Sequence, residues 1–251
     1  MFSRITYNRR KKKESMAEPK RNPNVITKEH VSNLPCTVLT GANHNIATTK
    51  SKSSVKKHIA SVPRSLLPPL SSPNKKTVFL DLDKTLIHSI PASRLIGPRN
   101  YDFVAKPMLG CKGDERYVLK RPFVDEFLRF LSESDFEIVV FTAGNEEYAS
   151  TVLDILDRDG LISHRLYRDS CKEINGRRVK DLSCLGRDLK KGVIVDDKPK
   201  SYSLQPENGI PISPFTDDLA DEELKKLMSG FFTKCHEFED LRDAVKHYFG
   251  K

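Results

Sequence analysis

Thr77-Val78-Phe79-Leu80-Asp81-Leu82-Asp83-Lys84-Thr85-Leu86-Ile87-His88-Ser89 is the stretch on which the fold of this chain turns. Its first four residues are apolar or β-branched, and a short run of that kind reads as a strand buried on both faces. Such strands belong to parallel α/β sheets, whose ligands bind beyond the carboxyl ends of the strands. Asp81 and Asp83 therefore fall at a strand tip. Residues two apart in extended chain point to the same side, so both carboxylates face one crevice while Leu82 packs the other way. That arrangement suits a nucleophile beside an acid/base. Read alone, Asp-x-Asp-x-Thr also fits a calcium-like loop or a solvated turn.

Beyond this stretch, strands alternate with helices. Phe123, Phe127, Leu128 and Leu131 recur at helical spacing after Pro122, and Phe136-Glu137-Ile138-Val139-Val140-Phe141 follows as a buried strand. A helix is expected from Glu146 to about Leu156, and Gly192-Val193-Ile194-Val195 gives another buried strand. Between them, Asn175-Gly176 is the strongest short hairpin signal, separating residues 166–171 from Arg177-Arg178-Val179. Leu224, Leu227, Met228 and Phe231 mark a further helix, as do Phe238, Leu241, Val245 and Tyr248. The alternation predicts an α/β fold with a doubly wound, mainly parallel central sheet. After the first strand, Tyr101-Asp102-Phe103-Val104 and Arg116-Tyr117-Val118-Leu119 predict a small β-hairpin insertion over the site.

The formal net charge of +9 is unevenly spread. Residues 1–75 carry 15 Lys or Arg against Glu14, Glu18 and Glu29, which leaves 28 basic and 31 acidic residues, or −3, for the rest. Residues 1–60 have few aromatics and no sustained period, and read as a disordered basic tail; 61–75 read as a Pro/Ser-rich linker. Residues 76–250 form one domain, long enough to bury about 70% of the unfolded chain's surface. No apolar run approaches the ~18 residues of a membrane span, so neither a transmembrane segment nor a secretory signal is expected. Cys36, Cys111, Cys171, Cys184 and Cys235 lack Cys-x-x-Cys spacing and read as reduced thiols of an intracellular protein. The cluster Arg9-Arg10-Lys11-Lys12-Lys13 fits contact with an import receptor, binding of RNA or an acidic partner, or a solvated charge run. The expected address is the nucleus, with the cytoplasm or an organelle reached by a transit peptide as alternatives.

Three later strand tips carry related chemistry. Thr142-Ala143-Gly144-Asn145 places a hydroxyl and backbone N–H groups where phosphate oxygens could bind, although Thr142 alone reads as a helix cap. Val179-Lys180-Asp181-Leu182-Ser183 offers an ammonium that would neutralise a phosphoryl group, or a solvated charge. Val195-Asp196-Asp197-Lys198-Pro199 puts two carboxylates on a buried strand's tip, an oxygen-rich place suited to Mg²⁺, or an Asx turn. Asp/Asp, Thr, Lys and Asp/Asp on four strand tips point jointly to one phosphate site. Phosphate monoesters need accelerations of up to ~10²¹-fold. A carboxylate nucleophile divides that task by forming an aspartyl-phosphate, with a second acid protonating the leaving oxygen and later deprotonating water. Asp81 fits the first role and Asp83 the second.

This order of motifs resembles the haloacid dehalogenase superfamily. Leu86-Ile87-His88-Ser89, Phe141-Thr142-Ala143, Lys180-Asp181-Leu182-Ser183 and Leu185-Gly186-Arg187-Asp188-Leu189 resemble its small phosphatases acting on the RNA polymerase II C-terminal domain. The resemblance implies a Mg²⁺-dependent phosphoserine/phosphothreonine phosphatase, with a phosphorylated protein as partner. It makes Asp81 the nucleophile and Asp83 the acid/base, with Thr142 and Lys180 on phosphate. The metal falls to Asp81, Asp83 through its backbone carbonyl, and Asp197, supported by Asp196. The chain departs from close relatives at Lys84, commonly Glu, and at Asp197, often Asn. The extra charge at Asp197 would tighten Mg²⁺ and repel phosphate, a ~4 kcal/mol interaction at ~4 Å before metal compensation. The small phosphatases place hydrophobic substrate contacts in the insertion; with no Trp in the chain, Tyr101, Phe103 and Tyr117 are the aromatics available there.

Two alternatives remain at this level: a catalytically weak scaffold or import-type binding protein of the same fold, and a small-metabolite phosphatase. Cys171 and Arg177 also match the Cys-x5-Arg spacing of thiol phosphatases, but the hairpin signal at Asn175-Gly176 is incompatible with their phosphate cradle. If the basic cluster directs import, a tagged chain lacking residues 9–13 will leave the nucleus; unchanged localisation, followed by microscopy, refutes that role.

Overall fold

The computed structural model describes residues 66–97, 99–107 and 113–250. The tail, the start of the linker, the basic cluster, Cys36 and Cys111 lie outside them.

The deciding stretch opens with strand β1 (Lys76–Leu80), buried from Thr77 onward. Three strands then form the insertion: β2 (Ile87–Pro91), β3 (Phe103–Ala105) and β4 (Arg116–Lys120), in the order β2-β4-β3. The expected hairpin is the β3–β4 pair, and β2 widens it to an antiparallel sheet, pairing His88 with Leu119 and Ser89 with Val118. Sequence reading absorbed β2 into the Asp-x-Asp loop because only six residues separate the end of β1 from its start.

Helix α1 (Val124–Glu133) buries Phe127, Leu128 and Leu131 of the expected stripe, with Val124 in place of Phe123. Its entry is tight: Phe123 has φ 66°, in the left-handed region, so the helix starts after this residue and not at Pro122. β5 (Phe136–Phe141) follows, then α2 (Glu146–Leu156), whose first turn carries Glu146 and Glu147 at the positive end of the helix dipole. β6 (His164–Leu166) closes one side of the sheet. β7 (Lys172–Ile174) and β8 (Arg177–Val179) form a hairpin whose two turn residues, Asn175 (φ 50°) and Gly176 (φ 72°), both have positive φ, as a type I′ turn requires. β9 (Gly192–Asp196), β10 (Gly209–Pro211), α3 (Glu223–Leu227) and α4 (Leu241–Phe249) complete the domain.

The central sheet has five parallel strands in the order β10-β9-β1-β5-β6, so β1 is its middle strand. Alternation divides the core. Val78, Leu80, Ile138, Val140, Val193 and Val195 join one cluster with buried residues of all four helices. Phe79, Val139, Phe141 and Ile194 join a second with Leu182, Leu185 and Tyr202, so short 3-10 turns close that face. Among the described residues no helix is long and apolar enough to cross a membrane.

One charged network crosses the second face. Glu137, in mid-strand, receives Arg187 Nε and Nη2 at 2.6 Å each and Thr77 Oγ1 at 2.8 Å. Burial works to raise its pKa, but these bonds hold it below the usual carboxylate range. Arg187→Met should destabilise the domain by about 3–5 kcal/mol, because it leaves a buried carboxylate unpaired. Removing both charges in Arg187→Met/Glu137→Met should restore most of that loss in denaturant titrations; a double variant as unstable as the single would refute the pairing.

Candidate active site

The middle position of β1 brings its tip beside those of β5 and β9. Asp81 N–H donates to Val195 O at 3.0 Å, which extends the ladder up to the first carboxylate. Its Oδ1 meets Lys180 Nζ at 2.6 Å, and the same ammonium meets Asp196 Oδ2 at 2.6 Å. Thr85 Oγ1 donates to Asp81 Oδ2 at 3.3 Å and accepts from Asp197 N–H at 3.2 Å, tying the loop after β1 to the tip of β9. The four strand tips expected from the sequence thus converge. Lys180 is fully buried; burial disfavours its charge, but Asp81 and Asp196 outweigh this and raise its pKa. Burial likewise raises Asp196, against the pull of Lys180.

Asp81, Asp196 and Asp197 each place one carboxylate oxygen within 4.8 Å of the others. Asp197 Oδ1 is buried without a hydrogen-bond partner among the described residues, its cation neighbour being Lys198 Nζ at 3.8 Å. Three converging anionic oxygens, one of them orphaned, are a donor set that fits a hard cation. Asp196, assigned a supporting part on sequence grounds, lies inside this carboxylate group, whereas the Asp83 side chain lies outside it.

Asp83 turns instead toward α2 and β2. Its Oδ1 accepts from Tyr148 Oη at 2.5 Å and from Ser89 Oγ at 3.1 Å, and Ser89 Oγ lies 2.6 Å from Tyr148 Oη. Burial raises the Asp83 pKa, with Tyr148 and Ser89 opposing and Asp81 adding to the rise. Burial and the nearby Asp83 push the Tyr148 phenol up, which keeps it a donor. A carboxyl biased toward its protonated form and held by two hydroxyls is equipped to pass a proton.

Thr142 is buried at the tip of β5, where its Oγ1 accepts from Gly144 N–H at 3.0 Å. The cap of α2 is Asn145, whose side chain accepts from Tyr148 N–H at 3.4 Å, so the helix-cap reading of Thr142 does not hold. Asp81, Asp83 and Thr142 line a cleft of about 480 Å³, completed by Arg116 from β4 and by Tyr148 and Arg168. Gly144 borders it, and a Cβ there would press on the Tyr148 ring at 3.2 Å and Thr142 Oγ1 at 3.3 Å.

The expected aromatics are elsewhere. Tyr101 and Tyr117 stack edge to face at 4.9 Å, Phe103 packs on the core, and none of the three lines the cleft. Strand alternation accounts for Tyr117: Arg116 faces the cleft, so its neighbour faces away. Sequence reading also passed over Arg121. Buried at the end of β4, it donates to Thr85 O at 3.1 Å, to Ser213 O at 2.9 Å and bidentately to Asp221 at 2.8 and 2.6 Å. It holds the loop in which Lys84 adopts φ 68°. The pattern Lys-Arg-Pro before a helix was the available signal, and it says nothing of three partners distant in sequence. Cys171 is half-buried beside the β7–β8 hairpin, and burial raises its thiol pKa, which disfavours the thiolate.

Residues 76–242 match the family NIF, described as NLI interacting factor-like phosphatase. The chain is 50% identical over 153 residues to the probable C-terminal domain small phosphatase of Dictyostelium discoideum, covering 61% of this chain and 48% of that one. It is 47% identical over 154 residues to the human carboxy-terminal domain RNA polymerase II polypeptide A small phosphatase 2, covering 61% and 55%. The chain thus spans about half the length of the curated relatives it matches. Among solved structures, Fcp1, titled an essential RNA polymerase II CTD phosphatase, aligns with TM-score 0.45 at 22% identity, covering 71% and 54%. With the family match spanning most of the described domain, this chain belongs to the NLI interacting factor-like phosphatase family.

Proposed function

We propose that the chain is a Mg²⁺-dependent phosphoprotein phosphatase that removes phosphate from serine or threonine through an aspartyl-phosphate on Asp81. The observation that carries this reading is the buried Lys180 ammonium, 2.6 Å from both Asp81 and Asp196 at the converged strand tips. A dianionic phosphate approaches a carboxylate nucleophile only where cations and hydrogen-bond donors offset the repulsion. Lys180 and Thr142 supply these on two sides. An Asp81 carboxylate oxygen attacks phosphorus, the phosphorus–oxygen ester bond breaks, and Asp83 gives its proton to the departing side-chain oxygen. Water then attacks the aspartyl-phosphate, Asp83 takes the water proton, and phosphate leaves with the Asp81 carboxylate restored. Tyr148 and Ser89 hold Asp83 in position for both transfers.

Mg²⁺, held by Asp81, Asp196 and Asp197 with the Asp83 backbone, would supply charge neutralisation on the phosphoryl oxygens. The relatives named for the RNA polymerase II C-terminal domain make that repeat a substrate to try first. A nuclear address for the basic tail would accord with it.

Asp81→Asn should lower hydrolysis of an aryl phosphate by about three orders of magnitude or more, and EDTA should abolish it with recovery on adding Mg²⁺. Metal-independent or mutation-insensitive turnover would sink the mechanism. Cys171→Ser should retain turnover; its loss in a folded variant would reinstate a thiol route.

A further inference from the structure

One wall of the cleft touches the phosphate chemistry just described only through Ser89, which holds Asp83. Ala105, Pro107 and Arg116 of the insertion line it. Arg116 is half-buried, and its guanidinium is fixed in place: Nε and Nη2 lie 3.1 and 2.9 Å from Ser89 Oγ, and Cζ lies 4.5 Å from the centroid of the Tyr148 ring. Neighbouring charges are already paired. Lys106 meets Glu115 at 3.4 Å, Lys198 meets Asp197 at 3.8 Å, and Asp114 is held by Ser93 Oγ. Among the described residues Arg116 has no carboxylate within 4.0 Å. Arg168, exposed on the rim with Nε 2.9 Å from Ala143 O, adds a second positive charge without such a pair. Glu147, exposed on α2, works against them from the same cleft.

We propose that Arg116 makes this wall a second anion subsite, selecting phosphoproteins that carry a carboxylate or a second phosphate close to the residue being dephosphorylated. This rests on the phosphoprotein phosphatase reading and adds its substrate class. Ser89 Oγ and O take up the Nε–Nη2 edge, so among the described residues Nη1 is the nitrogen left to donate to a carboxylate or phosphate oxygen, from a guanidinium already fixed in direction. Two hydrogen bonds separate it from Asp83, a span of about 6 Å. Extended peptide advances about 3.3 Å per residue, so the anionic group belongs one or two residues from the phosphoserine. Its side on the peptide is fixed by the strand direction of the bound substrate.

The test is a set of phosphoserine peptides with Glu, a second phosphoserine, Lys or Ala at each of the two positions on either side. The readout is the ratio of kcat/KM for anionic over Ala peptides, taken within each variant so that the folded fraction cancels. Wild type should favour an anionic neighbour by about tenfold at one or more positions. Arg116→Gln should bring that ratio close to one, Arg116→Lys should keep part of it, and Arg116→Glu should invert it toward Lys-bearing peptides. The Glu and phosphoserine arms decide which anion is read. A wild-type ratio near one at every position, or a ratio that survives Arg116→Gln, overturns the subsite while leaving phosphopeptide hydrolysis intact. Hydrolysis of aryl phosphate with none of any phosphopeptide overturns the phosphoprotein reading and this inference with it.

Discussion

Everything at the site depends on one buried ammonium. Asp81, Asp196 and Asp197 converge at the tips of β1 and β9, with Asp83 close by, and so many carboxylates in one place would repel each other out of the fold unless a cation sat among them. Lys180 does so from the segment after the β7–β8 hairpin, bonding Asp81 and Asp196 at once. Its own desolvation is offset only because two carboxylates share it. The same charge that permits the cluster to fold is the one a phosphoryl group would meet on entering.

Backbone order around the cluster has a second origin. The loop after β1 carries a non-glycine residue, Lys84, at positive φ, and it closes on itself through Leu86 and Ile87 N–H groups that both donate to Leu82 O. Thr85 ties it to β9 and Arg121 ties it to Ser213 and Asp221, so three separate parts of the chain fix the direction in which Asp83 points. Tyr148 and Ser89 then complete the setting from α2 and β2. The domain spends its buried charge in few places: Lys180, Arg121 and Arg187 each sit in a fully partnered network.

The insertion gives the cleft its individual character. Its first strand, β2, brings Ser89 to the site, and the alternation of β4 decides which side chains the cleft sees. Turning Arg116 inward necessarily turns Tyr117 outward, and the wall becomes cationic where the composition had suggested aromatic contact.

Much of this was legible in the residues alone. Buried parallel strands announce themselves as continuous apolar runs, Asn175-Gly176 encodes its own turn, and functional groups at the ends of such runs must lie on one edge of the sheet. Asp81, Thr142, Asp196 and Asp197 stand at such ends, where local backbone periodicity puts them, whereas Lys180 follows the β7–β8 hairpin and reaches the site from outside the central sheet. The partners of Asp83, the Arg121 clamp, the additional insertion strand β2 and the face shown by Arg116 were not legible. Each depends on contacts between residues tens of positions apart, set by how elements dock, and period-two or 3.6 patterns carry no information about docking. The sequence by itself determined which residues stand at the strand tips; only the tertiary structure decided which of them share a proton, a cation or a wall, because those relations are distances through space.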